Sequence, residues 1–403
     1  MTGFGDVLRQ HRTAAGWSLR KFAEHIRYDF GYLGQIERGV RPASADVVAA
    51  YDRALAAGGA LSRSYGGNQA DDTDVHRRSV LQAMGSLAAL SATDRLAGWE
   101  ALRHNLDAAV GNDVDTWTEI VAAYGRAYYQ QPHDHLMAEL ERDLRVLHHQ
   151  LTTAGDRRRA VLLRAAGQLS VLVALTLVAS GEALLARRWW TSAQRAADES
   201  GDSEIRVLTR AWDVVNGCYD GRSPVVVVAL AEEVLPLAAT PSAAGCGLLA
   251  GRAQALSLAG RHDEAVATVR QLADHVERLP APVADDVESL WGWPEHRLRH
   301  TESWVFTHSG DRRAATAAQD RALELYPESQ ARLRAQVQLH RAKMLITDGE
   351  INEGLRTATD LLDRLPRGHQ NELVRAVARQ AAAAVPHGER HRPAFRELVE
   401  RVR

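Results

Sequence analysis

Four histidine pairs are the nearest approach of this chain to metal chemistry: His133/His135, His148/His149, His296/His300 and His387/His391. At i,i+4 the last two could face one cation from a helix, but no acidic or thiol ligand stands nearby in sequence to complete a site. Pro386 and Gly388 also disfavour a helix at the last pair. Ordinary surface histidines are therefore expected, and no metal. Cys218 and Cys246 have no spacing suited to a metal or a redox pair, so reduced thiols are expected, as in a cytosolic protein. The chain has no Gly-x-Ser-x-Gly, no phosphate-binding Gly-Lys-Ser/Thr loop and no His-Glu-x-x-His. These patterns point away from catalysis and imply no cofactor.

Charge is informative through its distribution. The 403 residues carry 49 Lys and Arg against 51 Asp and Glu, so net charge does not announce nucleic-acid binding. Residues 1–65 nevertheless hold nine Lys/Arg against six Asp/Glu, and the remainder 40 against 45. A modestly positive end on an acidic body suits sequence-selective binding by a dimer better than indiscriminate binding. The length exceeds one typical domain, so two or more folding units are expected. The first residues lack the apolar core of a signal peptide, and no run approaches the length needed to cross a membrane. The longest apolar stretch, around Leu169–Val178, reads as a buried helix.

The elements that position the basic end are legible in residues 4–57. A first helix is predicted from about Phe4 to Ala15. Gly16-Trp17-Ser18 stops it and starts a second, with Ser18 as N-cap. Leu19, Phe22, Ala23 and Ile26 give that helix an apolar face. After the polar break Arg27-Tyr28-Asp29, Asp29 caps a third helix whose Leu33 and Ile36 face inward. Gly39 ends it and Pro42 prevents its resumption. Ser44 caps a fourth helix reaching Ala57, with Val47, Val48, Tyr51 and Leu55 on one face, and Gly58-Gly59 breaks it.

Leu8-Arg9, Arg12, Gly16-x-Ser18, Phe22-Ala23, Leu33, Ile36-Glu37-Arg38-Gly39 and Pro42 together resemble the Cro/repressor, or Xre-type, helix-turn-helix of bacterial transcription regulators. The resemblance covers roughly the first sixty residues. Arg27 departs from it, standing where that family usually has glycine or another small residue in the turn. In such domains the N-terminal half of the third helix lies in the major groove and the first helix crosses the backbone. The resemblance thus turns Phe30, Gly31, Tyr32, Gly34 and Gln35 towards the bases. Gln35 has the readout chemistry, because an amide pairs bidentately with adenine, and Phe30 suits a thymine methyl. Arg12, Arg20, Lys21, Arg38 and Arg41 become candidate phosphate contacts. Ser18, at the start of the second helix, completes the DNA-facing set. Glu37 is expected to be structural, paired with Arg9 or Arg12.

Beyond this domain, assigned to residues 1–65, a polar, Gly-rich and acidic linker is expected at 66–75. Arg77-Arg78 before an apolar stretch imitates an export signal, but it is internal, and a packing helix over His76–Leu90 is expected instead. The remainder, 76–403, reads as helical throughout, Val225–Val228 being its one β-like run. Gly181, Gly260, Gly310 and Gly349 each have a small residue five places on, namely Ala186, Ala265, Ala315 and Gly354. Ala193, Leu272, Ala322 and Leu361 follow at twelve, Ala174, Ala253 and Ala342 precede three of the glycines by seven, and Pro327 and Pro366 follow the last two by seventeen. Gly221 marks a decayed unit.

That register resembles the tetratricopeptide repeat, and the predicted fold is all-α: a helix-turn-helix bundle followed by an α-solenoid of helix pairs. Carrying over the inward-facing positions of the repeat gives an effector-binding set of Gln168, Gln254, Arg297, His300, Trp304, Gln336 and Lys343. Trp189, Trp190, Trp212, Trp291 and Trp293 are expected in the core rather than around a ligand. The chain as a whole resembles actinobacterial regulators that join an Xre-type domain to a tetratricopeptide-like sensor. This implies a cytoplasmic, non-enzymatic, homodimeric transcription regulator without a membrane partner. It would bind a two-fold, inverted-repeat operator in double-stranded DNA and answer to a peptide or small-molecule effector. A second reading is an adaptor that grips a partner protein in the helical groove, and a third is a regulatory enzyme subunit.

Overall fold

The computed structural model describes residues 4–41, 43–62 and 113–402, which fall in two compact units and contain helices and turns but no strand. The expected linker at 66–75, the expected helix at 76–90 and Pro42 lie outside the described residues.

The first unit contains α1 (Phe4–Ala14), α2 (Leu19–Ile26), α3 (Phe30–Glu37) and α4 (Ala45–Ala54). Three side chains start three of these helices by taking up free amides. Ser18 Oγ accepts from Lys21 at 3.4 Å, Asp29 Oδ1 from Tyr32 at 2.8 Å and Ser44 Oγ from Val47 at 3.4 Å. Gly16 and Gly39 both adopt positive φ, 74° and 71°, as the chain leaves α1 and α3. Leu8, Phe22, Ala23, Leu33, Ile36, Val47, Val48, Tyr51 and Leu61 form the core. Each large member contributes about 1.5–3 kcal/mol by leaving water. Gly5 is needed where α1 crosses α3, since a Cβ there would collide with the Ile36 carbonyl.

The second unit is a succession of helices: α5 (Asp113–Gln130), α6 (His133–Thr153), α7 (Asp156–Ala179), α8 (Ala183–Ser200), α9 (Ser203–Gly217) and α10 (Pro224–Val234). There follow α11 (Ala243–Leu258), α12 (His262–Val276), α13 (Glu295–Ser309), α14 (Arg312–Leu325), α15 (Ala331–Thr347), α16 (Ile351–Arg364), α17 (Glu372–Ala383) and α18 (Pro393–Arg401). The glycine register marks the helix pairs. Gly181, Gly260, Gly310 and Gly349 have φ of 86°, 75°, 78° and 92°, and make the turns within α7/α8, α11/α12, α13/α14 and α15/α16. Ala186, Ala265 and Ala315 are fully buried, as are Ala174, Ala253 and Ala342 before the turns. These small residues let paired helices approach. A Cβ on Gly354 would stand 2.5 Å from the Ala342 carbonyl oxygen. Gly221, the decayed unit, turns in the same way with φ 79° between α9 and α10, and Val225–Val228 lies within α10.

One expectation about length needs correction. The helix α7 is long and apolar enough to span a bilayer, although 78% of its apolar window is buried inside the fold. The apolar stretch at Leu169–Val178 is continued at its N-terminal end by Leu162, Leu163 and Ala165, which are also buried, so the element exceeds the visible run. Neighbouring helices cover it because it sits in the main core with Trp117, Tyr128 and Trp190.

Early and late helices of this unit also meet. α7 packs against α17, and α5 against the turn Glu328–Gln330. The connection between the short helical turn Ala281–Ala284 and α13 reaches back to α5: Leu290 N–H donates to the Gly125 carbonyl and Trp291 Nε1 to the Val121 carbonyl, both at 2.9 Å. Gly125 is required there, because a Cβ would come within 2.3 Å of the Trp291 indole nitrogen.

Candidate nucleic-acid interface and a cavity in the helical unit

In the first unit α3 is held by a buried ionic network. Arg12 Nε and Nη2 donate to the two carboxylate oxygens of Glu37, each at 2.7 Å, and Nη1 donates to the Trp17 carbonyl at 2.6 Å. Tyr51 Oη donates to Glu37 Oε1 at 2.9 Å. The hydrogen bonds that Arg12 donates to Glu37 hold its guanidinium charged, raising its pKa, while burial pushes the Tyr51 hydroxyl up. Glu37 is thus structural, as expected, with Arg12 rather than Arg9 as its partner. Arg12 must accordingly be withdrawn from the phosphate-contact set, because its guanidinium is buried and paired with Glu37 and the Trp17 carbonyl.

The remaining residues sort by exposure. Phe30 is 55% exposed, and Gln35, Arg38, Arg41, Arg20 and Lys21 are exposed with it. Ser18 caps α2, with its backbone at the same helix start. Gly31 is half-buried, and a Cβ on it would crowd only the Asp29 cap. One assignment to the base-facing set is corrected. Gly34 is buried, with the Leu19 side chain and the Arg38 guanidinium standing 3.2–3.3 Å from where a Cβ would be, so its small size serves the α2–α3 contact. Tyr32 is half-buried and stacks on Tyr28, and its ring carries the Arg41 guanidinium at 4.9 Å. The turn departs from the family pattern only in residue type: Arg27 itself adopts the left-handed conformation, φ 60°, and its N–H closes α2 on Ala23 and Glu24.

In the second unit a cavity of about 140 Å³ lies among α5, α9, α11, α13, α15 and the loop at 290–293. Four of the seven residues in the expected effector set meet there: Gln254, Arg297, His300 and Gln336. The other three do not line it. Gln168 is half-buried on α7. Trp304 is fully buried, edge-on to Tyr219 and His340 and stacked on His308. Lys343 is on α15, where burial brings its ammonium down to about 8. The tryptophans lie in or against the core as expected, Trp190 and Trp293 within it and Trp189, Trp212 and Trp291 packed on it, and Trp212, Trp291 and Trp293 also line the cavity with Tyr128, Tyr129, Tyr219 and Tyr326. The missed signal is Trp291-Gly292-Trp293-Pro294, two large aromatics in a non-helical connection where no helix periodicity accounts for them.

Arg297 is the centre of this wall. Its Nη1 donates to the Leu290 carbonyl at 3.1 Å, and its Nη2 to Tyr129 Oη at 2.9 Å and to the Ser289 carbonyl at 3.1 Å. The rings of Tyr129, Trp212 and Trp293 surround the guanidinium carbon at 5.5–6.0 Å. His300 Nδ1 is 3.0 Å from Tyr326 Oη, and burial, with the Arg297 charge, lowers its pKa to about 4. His296 packs on Tyr326 and is brought to about 3, chiefly by burial. This pair was expected at the surface. Both members are buried because α13 turns that face inward. Cys218 and Cys246 are free and buried.

Residues 4–64 match the family model of a helix-turn-helix domain. The first unit is a helix-turn-helix domain. Over 51 residues the chain is 41% identical to the transcriptional regulator ClgR of Mycobacterium tuberculosis, in strain CDC 1551 / Oshkosh and in strain ATCC 25618 / H37Rv. That stretch is 13% of this chain and 46% of the relative, so the chain spans less than half the length of the curated relatives it matches. No solved structure matches the chain. The similarity of the helix-turn-helix to its relatives stops short of the helical unit, whose pairing rests on the geometry above.

Proposed function

We propose that the protein is a cytoplasmic, sequence-specific DNA-binding transcription regulator without catalytic activity. In this reading the tetratricopeptide-like helical unit supports a homodimer and senses an effector. The observation that carries it is the helix-turn-helix in which α3 leaves Phe30, Gln35 and Arg38 exposed beside Arg20, Lys21 and Arg41. The exposed amide and ring supply base readout, and the cations supply phosphate contacts that set register. Two-fold pairing follows from the few base pairs one such helix reads, since half-sites a turn apart multiply affinity. The effector acts only by preferring one arrangement of the two DNA-binding domains.

Selection of bound DNA from a random library with the full chain, at near-physiological salt, tests this. The expected result is an enriched inverted repeat with half-sites about one helical turn apart. Retention of random sequence without enrichment would overturn sequence-specific regulation. Enrichment of a single half-site would overturn the dimer.

A further inference from the structure

We propose that the cavity centred on Arg297 is a binding site for a small organic anion, one ring in size, with a carboxylate or similar acidic oxygen group against the guanidinium. The proposal rests on the reading of the helical unit as a sensor and narrows its effector from peptide or small molecule to the latter.

Size is the first argument. Sites for drug-sized ligands occupy about 300–1,000 Å³, whereas a cavity near 150 Å³ takes a benzene-sized guest. At about 140 Å³, this partly open cavity has room for one ring bearing a small substituent. Its wall suits a flat apolar body: three tryptophans, four tyrosines, Leu175, Leu208 and Leu290.

Charge is the second argument. The residues lining the cavity include no Asp or Glu, and Arg297 is the single Arg or Lys among them. None of the ion pairs among the described residues involves Arg297, although it is only 8% exposed. Its hydrogen bonds go to two carbonyls and a tyrosine hydroxyl, which are dipoles and leave the net charge in place. A buried guanidinium without a counter-ion is costly, and a ligand that brings the missing negative charge recovers that cost. The three aromatic faces already around it compensate only in part.

Unused polar atoms are the third argument. Trp293 Nε1 is buried with no acceptor, and Gln254 Oε1 is buried with no donor. Both residues line the cavity, and buried polar atoms are rarely left unpartnered. Arg297 also retains donors beyond those it has committed, since a guanidinium carries five. An anion whose oxygens face Arg297 and Trp293 and whose ring bears a hydroxyl or N–H towards Gln254 would use all three.

The test uses the full-length protein and three fluorinated probes of one size: 4-fluorobenzoate, the neutral 4-fluorobenzamide and the cationic 4-fluorobenzylamine, followed by ¹⁹F line broadening. The anion is expected to bind about ten-fold or more tightly than the amide, and the amine not at all. Arg297→Met should abolish the preference. Because Arg297 also ties the 289–290 backbone to α5, that variant can fail to fold, so a second variant leaves the arginine alone. A Cβ on Gly247 would rest at ordinary contact on Trp293 and Ala211, so Gly247→Leu fills the cavity from α11, and it should remove anion binding while the thermal transition is kept. Equal binding of anion and amide, or binding that survives Gly247→Leu, would overturn the proposal. Failure of anion binding with the selected operator still recognised sinks the cavity site alone. Anion binding that leaves operator affinity unchanged supports the site and sinks the sensor reading on which it rests.

Discussion

Glu37 binds Arg12 and Tyr51 at once, so α1, α3 and α4 share one buried carboxylate. Removing one partner of such a pair leaves an uncompensated charge and costs about 3–5 kcal/mol, whereas removing both is often close to neutral. Arg12→Met is therefore expected to lower the unfolding midpoint of the first unit strongly, and Arg12→Met with Glu37→Met to restore much of it. Amide hydrogen exchange of α1–α4 in the full chain would measure both. Arg41 is a different kind of arginine, exposed and resting on the Tyr32 ring. Its replacement by Ala should weaken binding to all DNA sequences and reduce the slope of log affinity against log salt by about 1. Gln35→Ala should instead relax the preference at one operator position by about 1–3 kcal/mol, as read by repeating the library selection. An unchanged position preference would remove Gln35 from base readout.

Among the elements, the helix ends were the most legible part of the sequence. Ser18, Asp29 and Ser44 cap the helices they were expected to cap, because a short polar side chain before an apolar period has few other uses. The glycine-alanine register located the helix pairs for a similar reason, since only small residues tolerate that approach. Arg12 and Gly34 were misread because charge type and helix position say nothing about which way α1 and α2 press on α3. The cavity residues were missed in part because seven aromatics from α5, α9 and the turn after it, a connection, and the segment after α14 come together only through tertiary packing. Two substitutions test the elements. Arg27→Gly removes a side chain from the left-handed region at φ 60° and should stabilise the α2–α3 turn by about 1 kcal/mol, seen as slower amide exchange there. Gly354→Ala drives a methyl against the Ala342 carbonyl and Ile346, and should cost about 1–3 kcal/mol in urea unfolding of the helical unit.

Acid is a probe of the second unit as a whole. His296 and His300 are held neutral by burial, with pKa values near 3 and 4 against an ordinary value near 6.5. Above about pH 6.5 they are neutral whether the chain is folded or not, and stability is fully present. As pH falls below that, the unfolded chain takes up protons that the folded one refuses, down to the folded pKa values. Stability should drop by up to about 1.4 kcal/mol per histidine for each pH unit across this window. The urea midpoint measured at pH 7 and at pH 5 checks this, and an unchanged midpoint would mean that neither imidazole is sealed from water.

The return of the 290–291 loop to α5 has a consequence for how the molecule folds. A row of helix pairs touching only their neighbours behaves as a one-dimensional array, able to nucleate anywhere and to fray from either end. Here Trp291 and Leu290 are bonded to residues 170 and 165 positions earlier, and Arg332 Nη2 to the Tyr128 carbonyl 204 positions earlier. Such closures demand loop entropy before they return any contact energy, so they slow folding. Once made, they tie α5 to the 290–291 connection and to the start of α15, so that the stretch between them gives way as one cooperative body instead of pair by pair.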